Sequence, residues 1–135
     1  MSNINVPRLV AGGLIAGLVQ NVADFLVNGG LLGAQWEACM RALHFVPTAA
    51  TMGVFVGVNF VFGLAMVWIY VGFRPRFGLK AAALAAGIVW IVASAAYAGV
   101  VAMGVFPLQL ALISHSAGLA GMLVSSFAGA ATYRE

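Results

Sequence analysis

The sequence predicts an all-α, polytopic membrane protein, one domain of four transmembrane helices over residues 1–135. Three observations carry that expectation. Of the residues, 64% are hydrophobic and only 7% charged, against roughly 25% charged in a soluble domain, so a water-facing surface cannot be covered. No Asp, Glu, Lys or Arg occurs from Ala81 to Tyr133. As one helix that stretch would run roughly 80 Å, against a hydrocarbon core of about 30 Å, so it folds back once. Finally, the few cations gather beside the apolar runs, where membrane orientation demands them.

The first span is expected over residues 9–32, where Gly29, Gly30 and Gly33 end it. The apolar run after Arg8 is too long for a signal-peptide core, contains Asp24 and lacks a small-residue cleavage site, so it is kept as a helix. The second span is expected over residues 48–72, after Pro47. The third covers residues 81–103, and the fourth 108–133, after Pro107. Proline is tolerated in a first helical turn, which suits both positions. The spans pair in sequence as two hairpins, with Arg74-Pro75-Arg76-Phe77-Gly78 in the turn between them.

Arg8, Arg74, Arg76, Lys80 and Arg134 fall on one side of this arrangement and only Arg41 on the other. That asymmetry places both termini in the cytoplasm. The outer loop, residues 33–46, reads as a short amphipathic helix on the membrane surface. Trp36, Met40 and Leu43 recur at helical spacing, and Glu37, Arg41 and His44 share another face. The halves also echo each other: Gly17, Val22-Ala23 and Gly29 align without gaps on Gly87, Val92-Ala93 and Gly99, which makes Ser94 the counterpart of Asp24.

Asp24 is the one acid inside a span, and a carboxylate at that depth faces protein or water rather than lipid. Gln20, Asp24 and Asn28 repeat every four residues, with Asn21 beside them, as one polar stripe along the first helix. Such a stripe is either a solvated path or hydrogen-bond glue between helices. His115, eight residues past Pro107, falls at the same depth as Asp24, about 12 Å below the outer surface, with Ser94 and Thr51 near that layer. An Asp24–His115 pair would relay protons or orient a ligand; otherwise His115 bonds a neighbouring carbonyl. Asn59 is a further interhelical donor in the second span.

Close helix packing is expected at Gly13/Gly17 and Gly53/Gly57, each a GxxxG pair, and at Ala95/Gly99, Ala117/Gly121 and Ser125/Gly129. The pattern serves contacts within the chain or between chains. A basic balance, with pI near 9.6, is accounted for by membrane orientation, and no nucleic-acid partner is expected. His44 and His115 lie at different depths, which argues against a shared haem. Two His, one buried acid and the single Cys39 are poor material for a metal centre. No nucleophile–base constellation or phosphate loop occurs, so neither enzyme activity nor a cofactor is expected. Cys39 reads as a small apolar residue of the surface segment.

The stretch from Asn21-Val22-Ala23-Asp24-Phe25 through Asn28-Gly29, then Gln35-Trp36 and the Arg74–Gly78 turn, resembles small bacterial four-helix inner-membrane proteins of uncharacterised function. The resemblance covers most of the chain and implies a bacterial plasma-membrane architecture, with the polar face around Asp24 as a shared feature, but no activity. Two functions follow from the residues. One is a structural or interaction unit that self-associates or joins a larger membrane complex. The other is a small proton- or cation-linked transporter built on the Asp24 stripe. Size and abundant small-residue faces favour the first.

Overall fold

Asn5 starts the first helix: its side-chain oxygen accepts the Arg8 backbone N–H at 3.1 Å, and Pro7 occupies the first turn. The computed structural model describes residues 4–133; Arg134 of the predicted basic side, with Glu135, lies outside them. Helix α1 (Val6–Asp24) runs on without a break into a π-helical segment, Phe25–Leu31. Its wider turn closes with the Leu32 N–H on the Val27 carbonyl at 2.8 Å. Gly29 and Gly30 lie inside this segment, where they weaken the preference for the tighter α-helical turn.

Helix α2 (Gly33–Ala42) follows at once. It ends in a hydrogen-bonded cap, with His44 N–H on Arg41 and Phe45 N–H on Met40, both at their carbonyls. His44 takes the left-handed conformation (φ 52°) that such caps usually give to glycine. The expected apolar stripe is displaced in the structure. Leu32, Trp36 and Cys39 are the packed residues, with Leu110 and Phe106, whereas Leu43 lies past the helix end and is exposed.

Thr48 caps α3 (Ala49–Phe77), accepting the Thr51 N–H at 3.2 Å. This helix runs five residues beyond the expected end at Gly72. The Arg-Pro-Arg segment is its last turn rather than a loop, because Pro75 sits where its missing N–H costs one late hydrogen bond instead of interrupting the helix. Gly78 makes the turn at φ 57° and ψ −136°, a conformation glycine adopts without strain. Helix α4 (Lys80–Ala102) begins two residues later, and Pro107 precedes α5 (Leu108–Thr132). Four helices, Val6–Leu31, Ala49–Phe77, Lys80–Ala102 and Leu108–Thr132, are long and apolar enough to cross a membrane.

Side-chain registers show that consecutive long helices alternate in direction. Along α1 and α3, Gly13 meets Leu64 and Gly17 meets Phe60, while Asn21 reaches Val56. Along α1 and α5, Gly12 meets Gly129 and Asn28 meets Ser114. Along α4 and α5, Ser126 donates to the Ala82 carbonyl at 2.8 Å and Ser94 meets His115. Thus α1 and α4 each pack on α3 and α5 and stand across the bundle from one another. One end, the basic end, holds the α3–α4 turn with Arg74, Arg76 and Lys80. There the Asn5 N–H donates to Tyr133 Oη at 3.1 Å. The other end carries α2.

The main core belongs to the basic half, where Ala16, Met66, Val67 and four alanines of α4 (Ala81, Ala82, Ala85 and Ala86) are completely covered. The glycine pairs divide by use. A Cβ on Gly13 would stand 2.8 Å from Leu64 Cα, one on Gly17 2.7 Å from Phe60 Cα, and one on Gly12 2.8 Å from the Gly129 carbonyl. Gly121 faces Ala23 at 3.1 Å, and Gly63, which the spacing pattern misses, sits against the Gly13 and Gly17 backbone. Gly53, Gly57 and Gly99 meet nothing within 4 Å, so these predicted packing positions are not used within the chain.

Candidate functional site

The polar side chains gather in a layer above the main core. Asp24, at the last turn of α1, holds two amides on its carboxylate: Gln20 Nε2 donates to Oδ1 at 3.0 Å, and Asn59 Nδ2 donates to Oδ2 at 2.8 Å. The i,i+4 spacing along α1 lets Gln20 reach Asp24, and Asn59 comes from the facing turn of α3. Asn59 Nδ2 also donates to Asn21 Oδ1 at 3.1 Å, and Asn21 Nδ2 lies within reach of the Gly17 and Val56 carbonyls. From α5, Ser125 Oγ lies 3.1 Å from Gln20 Oε1 and 2.8 Å from its own Gly121 carbonyl. Gln20, Asn59 and Ser125 are all buried, so this network ties α1 to α3 and α5 where unmet polar groups would be costly. No cation reaches Asp24 among the described residues; the ion pair between described side chains is Arg41 with Glu37, at the exposed face of α2.

The predicted stripe divides at the π-helical segment. Gln20, Asn21 and Asp24 share one network, but the extra residue per turn carries Asn28 to a second cluster. There Asn28 Oδ1 accepts Trp36 Nε1 at 3.0 Å and Ser114 Oγ at 2.6 Å, clasping α2 and α5 to the end of the first span. His115 belongs to a third. Its Nε2 lies 2.6 Å from Ser94 Oγ, whose proton is directed to the Trp90 carbonyl at 2.7 Å. That arrangement makes the ring nitrogen the donor to Ser94. Trp90 Nε1 in turn donates to the His115 carbonyl at 2.9 Å.

The His115 ring stacks on Tyr97 at 5.2 Å and 8° between planes, with Trp90 at 5.6 Å. Phe106 extends the stack, and Trp36 closes it edge-on. Tyr97 Oη is buried without a hydrogen-bond partner.

Asp24 and His115 are therefore not brought together: each is bonded within its own cluster. The counterpart pair of the internal echo, Asp24 and Ser94, falls in different clusters as well. Gly87 and Gly99 meet no neighbour, whereas Gly17 is packed under Phe60. His44 ends α2, its N–H on the Arg41 carbonyl, and is not among the rings that stack on His115. Cys39 is buried with its Sγ 3.9 Å from the Val105 carbonyl. Among the described residues no group of three or more His, Cys, Asp or Glu could hold a metal ion. Sequence reasoning missed Ser125, Ser114 and Trp90 as polar partners. Ser125 carried a signal only as a small residue of a packing pair. Comparison with family models, curated proteins and solved structures finds no match for the chain.

Proposed function

We propose that this protein is a structural and interaction unit of a bacterial inner membrane, crossing it four times as two hairpins with both termini in the cytoplasm and α2 on the outer surface. In that reading it self-associates or packs as an accessory subunit on a larger membrane complex. The observation that carries it is the way Asp24 is bound. Both carboxylate oxygens accept directly from amides of α1 and α3, and Gln20 passes the connection to α5. A side chain held by neighbouring helices acts as interhelical glue.

Faces left free by the chain support the interaction part of the reading. Gly53 and Gly57 form a small-residue strip on α3 with no neighbour inside the protomer, the kind of surface on which a second helix packs closely in lipid. Mass measurement in nanodiscs tests this. The wild type is expected as an oligomer or a stable hetero-complex, and Gly57→Leu as a folded protomer of lower mass. A wild-type monomer in every lipid composition tried would overturn the proposal.

A further inference from the structure

Helices α3 and α4 part company halfway along. Asn59 is the buried residue of α3 nearest the α2 end, and Val89 is its equivalent on α4. Beyond Asn59, the helical repeat carries its face on to Phe55 and Met52, which are 56% and 53% exposed. Phe55 lies on the flank opposite Phe60 and Leu64, the residues that pack on α1. Along α4, the flank of Ala81 and Ala85, both fully covered, continues to Val92, Ala96 and Gly99. Val92 is 66% exposed, Ala96 is also exposed, and Gly99 has nothing within 4 Å. The opposite flank of α4 keeps its contacts with α5 through Trp90 and Ser94. The α2 half of the bundle is therefore open sideways between α3 and α4. At the base of the opening stands the Asn59–Asp24 pair.

We propose that this opening is a lateral binding site for a membrane-dissolved organic monocation, an apolar or aromatic body with an ammonium or phosphonium centre, held at Asp24. The walls (Met52, Phe55, Val92) are apolar, and Phe55 supplies an aromatic ring, a side chain that attracts cations. The base is a carboxylate whose neighbours are neutral amides, with no cationic side chain among the described residues to balance it. In a low-dielectric site such a charge favours a cation that arrives already stripped of water. A bare metal ion needs several oxygen ligands, whereas Asn21 Oδ1 and Gln20 Oε1 already accept bonds here. A zwitterionic headgroup would bring its phosphate down with its ammonium to a level about 12 Å below the helix end. An organic monocation has neither difficulty. This proposal uses the membrane-spanning reading but not self-association.

Equilibrium dialysis of tetraphenylphosphonium and of dodecyltrimethylammonium against protein in nanodiscs, with empty nanodiscs as background, tests it. At least one probe is expected to bind saturably, and Asp24→Asn to weaken binding about tenfold or more through loss of the charge pair. Val92→Trp fills the mouth without touching the polar layer and is expected to weaken it as well, while Leu18→Trp, on the exposed face of α1, leaves it unchanged. Mass and melting measured on the same samples separate loss of binding from loss of fold or of assembly. Absence of saturable binding for both probes overturns the proposal. So does wild-type affinity in a folded Asp24→Asn or Val92→Trp protein, or displacement of the bound probe by sodium but not by choline.

Discussion

Asp24 meets two neutral donors, and that decides how it answers substitution. Asparagine keeps an oxygen for Gln20 or Asn59 and removes a charge that is expensive in the membrane. Asp24→Asn is therefore expected to change unfolding in detergent by less than about 1 kcal/mol, the scale of an interhelical hydrogen bond in lipid. Leucine leaves the Gln20 amide without its acceptor and takes from the Asn59 amide one of its two, Asn21 Oδ1 remaining, at a cost of about 1–3 kcal/mol. Titration with a denaturing detergent, followed by circular dichroism, measures both. Equal stability of the two variants would remove the glue assignment. Gly78 offers a backbone counterpart: with φ 57° and ψ −136° it lies where a Cβ is strained, so Gly78→Ala is expected to destabilise the α3–α4 turn by about 1–3 kcal/mol. The Gln20–Asp24 bond was legible in the sequence, since spacing of four on a helix makes neighbours. Asn59 as the partner of Asp24 was not, because the match depends on the register of α3 against α1.

Between α1 and α3 the packing is a meeting of backbones. Gly63 lies against Gly13 and Gly17 so closely that a methyl group has no place. Gly63→Ala is expected to cost about 1–3 kcal/mol through overpacking, whereas Gly57→Ala, with nothing within 4 Å, leaves protomer stability unchanged. Thermal unfolding of the two variants in one detergent checks the contrast. The π-helical segment has its own consequence. By turning Asn28 towards Trp36 and Ser114 it fastens α2 to the bundle. Asn28→Ala is expected to speed hydrogen exchange across α2 while the basic-half core keeps its protection, and unchanged exchange in α2 would show that Leu32 and Cys39 hold it alone.

At the scale of the molecule, alternating helix directions put Arg8, Arg74, Arg76 and Lys80 at one end and Arg41 at the other. Native Cys39 is a poor reporter of sidedness because it is buried. In a Cys39→Ala background, a cysteine replacing Ala42 on the exposed end of α2 is expected to react with an impermeant thiol reagent in intact cells. One replacing Leu79, 61% exposed in the α3–α4 turn, is expected to react only after lysis. The reverse pattern would invert the orientation.

Four helices long and apolar enough to cross a membrane, their approximate limits and the need for Asp24 to face protein or water rather than lipid were legible in the chain, because hydropathy and helical period act over neighbouring residues and need no fold. The sequence also marked Gly13 and Gly17 as sites of close approach. Which helix meets them is set by packing, since Gly63, whose neighbours are Gly13 and Gly17, lies outside any small-residue spacing pair that the sequence singled out. Tertiary packing also separated Asp24 from His115, which equal depth alone would have allowed to meet. Depth follows from rise per residue, but azimuth depends on how each helix is rotated, and the π-helical turn, the Ser94–His115 bond and the packing of Trp90 set that rotation through contacts distant in the chain.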